Sequence, residues 1–441
     1  MKKSFIIFCV FISYNAISQV LPLRERAAVI DEVMKDRFDN LLPKLMDRTD
    51  IDMWVLISRE YNEDPVLRTM LPSLWLNARR RTVLVFYRNK EANTIEKLAV
   101  ARYNVGENIT SAWDKEKQPD QWKALYKIIE EKNPRKIGLN LSKHFGIVDG
   151  LVKTDYDWFT KDLPDTYKSR IVSSEPLAIG WIETRTEKEM NIFAELTKMT
   201  HDIIADAFSD KVITPGVTST DDVVWFMRQK LNDLGLKTWF HPTVDIQRSN
   251  EPLGSHITSF SKGEKKDVIQ KGDLLHCDFG ITYLRLNTDC QQHAYVLKDD
   301  EASVPSFLEA AFKKGNRLQD ILTNNYVAGK TGNEILLKSL EEAKAEGLRP
   351  SIYTHPLGLY GHSSGSTIGM WDSQGGVPFN GDYSLFKNTA YAIELNTTVN
   401  IPEWHRDIRI MLEEPGFYGE DGFRYINERQ EHIRAIKTVS E

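Results

Sequence analysis

The phrase Gly216-Val-Thr-Ser-Thr-Asp-Asp-Val opens one helical stretch, and Gly329-Lys-Thr-Gly-Asn-Glu-Ile-Leu opens another 113 residues later. Ser219 and Asp222 have the spacing of a capping box, in which a hydroxyl and an acid satisfy backbone N–H groups left free by the first helical turn. The first helix carries Val223, Met227, Leu231 and Leu234 on one face and stops at Gly235-Leu236. The second stops at Gly347-Leu348. Strand-like segments bearing acids and histidines follow each phrase. A period of this kind predicts a duplicated α/β half.

The chain has 441 residues, which is long for one ordinary domain. Residues 20–180 read as a separate α/β unit. Helical periodicity runs from Glu25 to Leu45, and strand-like runs follow at Met53–Ser58, Thr82–Tyr87, Leu98–Tyr103 and Lys136–Leu141. No glycine-rich phosphate loop follows any of these runs, so nucleotide binding has no support. Trp54, Trp75, Trp113 and Trp122 read as core or interface residues. A boundary falls near Ile179–Arg185, ahead of a helix expected over Thr186–Phe208 with Ile192, Leu196, Met199, Ile203 and Ala207 on one face. A formal net charge of −6 argues against nucleic acid, which needs a basic footprint.

The first residues read as a targeting segment. Lys2 and Lys3 precede an apolar run, Phe5–Ile12, and Ala16-x-Ser18 supplies a small-residue exit, so the mature chain is expected to begin at Gln19. The run is shorter than the roughly 20 residues that span a membrane, and Cys9 follows Phe8 rather than a small residue, which disfavours a lipid anchor. The expected product is exported and soluble, periplasmic or secreted, without membrane insertion. Cys277 and Cys290 then remain, too few for a disulfide scaffold or a zinc finger. They neighbour Asp278 and Asp289, so strand alternation puts them side by side on the face opposite those acids. A disulfide between them is the weaker expectation, buried free thiols being the commoner state.

The acids carry the chemistry. Asp278 ends Leu274-Leu275-His276-Cys277-Asp278, and Asp289 stands 11 residues on, where the next strand begins. Antiparallel strands with the two acids opposite each other would turn both carboxylates to one side, an arrangement that makes sense around a cation. His355 and His362 lie seven apart in a glycine-rich stretch, Glu394 stands in the apolar strand Tyr391–Leu395, and Glu413 in Arg409–Glu414. An acid in an apolar strand is costly unless paired or metal-bound. Four carboxylates and an imidazole form a hard ligand set that suits Mn(II) best, with Zn, Co or Fe(II) as alternatives.

The order Asp, Asp, His-x-x-Gly-x-x-x-His, Glu, Glu resembles the pita-bread metallopeptidases, which include aminopeptidase P, prolidase and methionine aminopeptidase. The resemblance covers roughly residues 180–430, and the half before it is similar to the N-terminal domain of the aminopeptidase P and prolidase branch. It implies an α/β N-terminal domain over 19–182, after a signal peptide at 1–18, then an α+β pita-bread domain over 183–441 with an internal pseudo-twofold repeat. It also implies two divalent metal ions. Asp278 would hold one, His355 the other, and Asp289 and Glu413 would bridge them. Glu394 would be a terminal ligand and proton shuttle, while His362 and His256 would line the substrate side. For the fifth ligand, Arg409-Ile410 aligned directly puts Met411 in position, whereas counting back from Gly419-Glu420-Asp421-Gly422 puts Glu413 there. A thioether is a poor bridge between hard cations, so Glu413 is expected, with Met411 as a wall of the pocket.

Two departures touch the substrate side: Asp245–Glu251 replaces the family's glycine and small residues, and the family's Arg-Ile-Glu-Asp is not intact. The implied activity is hydrolysis of short peptides, with proline after the first residue, by an Xaa-Pro aminopeptidase or prolidase-like dipeptidase. A homodimer is allowed by this reading. The alternatives are a metal-free creatinase-like hydrolase and a peptide-binding protein that has lost catalysis; the full ligand set argues against both.

Overall fold

A computed structural model describes residues 20–251, 253 and 267–437. The expected cleavage site at Ser18–Gln19 and the expected site residue His256 lie outside these residues.

The N-terminal helix runs over Leu23–Asp36, widens into one π turn at Arg37–Leu41 and continues over Leu42–Thr49. A six-stranded sheet follows, in the order Thr110–Ser111, Thr94–Val100, Arg81–Asn89, Met53–Arg59, Ile137–Leu139, Ile171–Ser173. Met53–Arg59 pairs antiparallel with Arg81–Asn89 and parallel with Ile137–Leu139. Its side chains alternate between two cores. Trp54 and Leu56 pack with the N-terminal helix, while Met53, Val55 and Ile57 pack with the helix Gln121–Lys132. Trp54 and Trp75 are buried, and Trp113 and Trp122 pack against the second core.

One strand differs from expectation. It occupies Thr94–Val100, not Leu98–Tyr103. Pairing with Arg81–Asn89 continues to the turn, down to Asn89 opposite Thr94. The polar residues this recruits, Glu96 and Lys97, are held by Lys132 and Asp39 at 2.7 and 2.6 Å. Partner length and cross-strand pairing outweighed hydrophobicity there.

The helix Glu175–Glu183 packs into the N-terminal core. Three residues later the helix Glu187–Ala207 starts at the Thr186 capping box. The Ser219–Asp222 cap forms on Thr220–Leu234 as the sequence indicates, and Thr331 with Glu334 caps Gly332–Ala345 in the same way. The repeat phrases align at 113 residues, but Ser219 and Thr331 are 112 apart, because the second turn is one residue shorter. Gly235 and Gly347 keep that spacing, both with positive φ, and each is followed by a leucine bonded back to the fifth residue before it.

Each half of the C-terminal region runs helix, helix, then strands. In the first half the helices cover a sheet ordered Arg434–Ile436, Cys290–Val296, Leu274–Phe279, Thr243–Gln247. In the second half Ser306–Asn324 and Gly332–Ala345 cover strands Leu395–Ile401 and Arg406–Leu412, which continue past short breaks into Thr389–Ala392 and Pro415–Gly419. An isolated bridge between Gln291 and Glu413 links the strands of the two halves.

Candidate metal centre

The site residues share one row of strand positions. Asp278 pairs with Gln291, and Gln291 bridges to Glu413. Leu395 pairs with Leu412 and Ala392 with Pro415, so the register is unchanged across the breaks and sets Glu394 opposite Glu413. Residues level in adjacent strands project to the same face, as do residues two apart along one strand. Asp289, two before Gln291, therefore joins the row, and so does His355, which pairs with Ala392.

Two expectations are corrected here. Asp278 and Asp289 are diagonal rather than directly opposed, because the strand begins at Cys290 and a small hairpin, Thr282–Tyr283 with Leu286–Asn287, fills the loop between them. Glu394 and Glu413 sit in the breaks between strand segments rather than inside strands. A break frees the backbone from regular pleating and lets a long acid turn into the site.

His355 Nδ1 donates to the Pro356 carbonyl at 3.1 Å, which leaves the Nε2 lone pair facing the cluster. That nitrogen lies 3.7 Å from Asp289 Oδ2, 3.9 Å from Glu394 Oε2 and 3.5 Å from Glu413 Oε1. Four tetrahedral donors at about 2.0–2.2 Å from a cation stand roughly 3.4 Å apart, so the spacing suits one. A second group, Asp278, Asp289 and Glu413, shares two of these residues, with ligand atoms within 4.8 Å of one another. Asp278 Oδ1, Asp289 Oδ1, His355 Nε2 and Glu413 Oε1 are buried without a hydrogen-bond partner.

The electrostatics agree with the geometry. Burial, and then the Glu413 charge, push Asp278 and Asp289 well above the ordinary carboxyl range. Glu394 is pushed up by the same two causes. Burial raises Glu413 to about 8 and lowers His355 to about 4. The imidazole is neutral at pH 7, the form that ligates, and among the described residues no lysine or arginine stands between the acids. Divalent cations fit these residues: orphaned donors, hard oxygens and a committed tautomer meet in one place.

His362 stands at the rim, exposed, 4.8 Å ring to ring from His355 and 5.0 Å from Trp239. Burial and the neighbouring His355 lower it to about 4, so it too is neutral. Met411 is buried two residues from Glu413, and its backbone N–H donates to His293 Nε2 at 3.1 Å. Cys277 and Cys290 are free, buried and on the opposite face, as diagonal neighbours. Cys290 lies near His201 and Glu414 there. Glu414 is already bonded to His201, Gln292 and the Gln430 N–H, so that cluster is an internal polar network.

Sequence reading missed Gln291 and Trp239. Gln291 fills the row between Asp278 and Glu413, and its amide bonds both glutamates. Its place two residues after Asp289 is the one local signal for it. Trp239 donates to the Thr288 carbonyl at 2.9 Å and packs so closely on Gly361 that a Cβ there would lie 2.3 Å from the indole.

Buried hard ligands around a neutral imidazole make a site that could hold divalent cations. The model of metallopeptidase family M24 matches residues 191–424, more than half the chain, and the chain belongs to that family. It is thus a peptide-bond hydrolase of a family that uses divalent metals, and its C-terminal region has the pita-bread fold. Among solved structures it is similar to an X-Pro aminopeptidase from Thermotoga maritima, with a TM-score of 0.60 and 13% identity over 89% of this chain and 100% of that one. An Xaa-Pro dipeptidase from Bacillus anthracis gives 0.56 and 17% over 94% and 100%. A histidine-to-alanine variant of Escherichia coli aminopeptidase P gives 0.57 and 11% over 94% and 97%. No curated protein matches by sequence. No described helix is long and apolar enough to cross a membrane.

Proposed function

We propose that this chain is an exported dinuclear-metal peptidase that cleaves short peptides with proline in second position, as an Xaa-Pro aminopeptidase or a prolidase-like dipeptidase. Residues 19–182 would form its N-terminal domain and 183–441 its catalytic domain. The observation that carries the reading is that the carboxylates around His355 Nε2, Asp289, Glu394 and Glu413, overlap at Asp289 and Glu413 with the group Asp278, Asp289 and Glu413. The proline preference is supported by similarity to an X-Pro aminopeptidase and an Xaa-Pro dipeptidase. Export is supported by the basic start, apolar run and small-residue exit of residues 2–18.

His355, Asp289, Glu394 and Glu413 would hold one cation, and Asp278, Asp289 and Glu413 the other. Bound there, the cations supply Lewis acidity toward water and the scissile carbonyl. His362, neutral at the rim, donates a hydrogen bond toward the oxygen on which charge develops. Glu394 would take up a proton and pass it to the leaving nitrogen. Trp239 closes the wall beside His362 and keeps water from that side. Mn(II) is the metal expected from the oxygen-rich set.

The test is a peptide screen on metal-stripped protein reloaded with Mn(II), Zn(II), Co(II) or Fe(II). Xaa-Pro dipeptides, longer Xaa-Pro peptides and matched Xaa-Ala controls are compared. Turnover confined to the proline series, greatest with Mn(II), is expected. Equal turnover of the alanine series would overturn the specificity, and failure to bind two cations would overturn the dinuclear centre. N-terminal sequencing of protein from its native host, with Gln19 expected first, tests export.

A further inference from the structure

Asp278, Gln291, Glu413 and Glu394 stand level across four strands, and of these four Gln291 alone is not a carboxylate. It is 2% exposed. Its Nε2 donates to Glu394 Oε1 at 2.5 Å and to Glu413 Oε2 at 2.9 Å. Both hydrogens of the amide are thereby committed to carboxylates, which fixes its orientation. Its Oε1 must then accept, and it does so from His276 Nε2 at 2.9 Å. His276 is 4% exposed and stands in the adjacent row, opposite His293. The chain His276, Gln291, then both glutamates, is a buried relay under the site.

The two glutamate oxygens that Gln291 holds are not the two that approach His355. Glu394 Oε2 and Glu413 Oε1 face His355 Nε2 at 3.9 and 3.5 Å. Among the described residues, no hydrogen bond engages these two oxygens, so a cation on the His355 side finds its donor atoms free of competition from those residues. On the Asp278 side the remaining oxygen of Glu413 is already bonded to the amide. A cation there must strip Glu413 Oε2 from Gln291 or share Oε1 with the first cation. Charge-assisted hydrogen bonds of this kind are stronger than neutral ones, and replacing one costs accordingly.

We propose that Gln291 is a positioning residue that makes the two cation positions unequal: it presents Glu394 and Glu413 to the His355 side and competes with the second cation for Glu413. This rests on the dinuclear reading above. The two positions should fill in sequence, the His355 side first. Partners that orient metal ligands typically alter affinity about tenfold to a hundredfold when lost.

The experiment is calorimetric titration of the metal-stripped full chain with Mn(II), paired with Co(II) absorption spectra at one and two equivalents. The wild type should show two steps of different affinity. Gln291→Met keeps length and removes the amide; it should weaken the first step about tenfold to a hundredfold and narrow the gap between the steps. His276→Phe, which frees the amide to turn over, should move both quantities in the same direction but less. The double variant should match Gln291→Met alone, since His276 acts through Gln291. Rescue is tested with Gln291→Asn, whose shorter amide reaches one glutamate at best and should fall between. Two equal steps in the wild type, or an unchanged gap in folded Gln291→Met, would overturn the proposal. If Gln291→Met does not fold, the wild-type steps and His276→Phe decide it: equal steps, or no change in His276→Phe, overturn it. A wild type that binds no second cation sinks the dinuclear reading instead, so the two failures are distinguishable.

Discussion

At the scale of single residues, His355 and His362 differ in what their surroundings demand. His355 is locked by the Pro356 carbonyl and aims a bare nitrogen at three carboxylate oxygens, whereas His362 is exposed at the rim, beside the rings of His355 and Trp239, with Asp289 the acid that comes within 4.8 Å of it. His355→Ala should lower metal content measured by elemental analysis. His362→Ala should keep the metal and lose about 10² or more in turnover, as for a lost transition-state donor. Equal metal loss in the two variants would reverse the assignment. The same contrast applies to Glu413 and Met411. Glu413 turns an unpartnered oxygen to the site, while Met411 is engaged through its backbone with His293. Glu413→Ala should lose at least one cation and nearly all activity, and Met411→Ala should retain both cations. Normal activity in Glu413→Ala would end the five-ligand reading.

At the scale of elements, capping and pairing do different work. The Ser219 and Thr331 hydroxyls accept from the N–H groups of Asp222 and Glu334 at 3.2 and 3.1 Å. Removing either cap should cost about 1 kcal/mol. Ser219→Ala and Thr331→Ala, followed by denaturant unfolding, should lose similar amounts and leave activity per folded molecule unchanged. An activity loss in either would mean that its helix also sets the site. The site itself is built by pairing, since Glu394 and Glu413 meet because register persists across two broken strands. The helix starts could be read from spacing within a few residues. The register could not, because it depends on which distant strands pair, and the third strand of the N-terminal sheet was misplaced for the same reason.

At the scale of the whole molecule, a buried ionic cluster ties the N-terminal helix to the catalytic region. Arg37 bonds Glu189 at 2.7 Å and the Thr184 carbonyl at 3.0 Å, and Arg185 bonds the same Glu189 at 2.9 Å. Beside it, Glu183 is fully enclosed, with Tyr383 OH at 3.3 Å and Arg48 at 3.7 Å. Burial lifts this carboxyl from 4.5 to about 8, against the pull of Arg48 and Tyr383. The folded state thus holds a proton that the unfolded chain releases at lower pH. The stability this gives is complete below 4.5 and is lost as pH rises through about 8. Glu183→Gln should remove that loss, so the melting temperature of the variant should gain on the wild type as pH rises from about 5 to about 9. A difference that stays constant across this range would show that Glu183 does not titrate there.

The sequence by itself determined what is local or chemically unmistakable. Composition marked Met53–Ser58 as a strand, spacing located the Ser219–Asp222 capping box, and hard ligands in a fixed order pointed to Asp278, Asp289, His355, Glu394 and Glu413 as candidates. The expectation of Glu413 over Met411 rests on ligand chemistry alone, because a thioether and a carboxylate differ intrinsically as ligands for hard cations. The tertiary structure decided the rest: the diagonal placement of Asp278 and Asp289, the strand breaks under both glutamates, and the position of Gln291 among them. A glutamine has no charge and no periodic signature, so beyond its place two residues after Asp289 nothing nearby in the chain distinguishes it from a surface residue. Its importance arises where strands from both halves come level, and that alignment is fixed by backbone pairing between segments more than 100 residues apart.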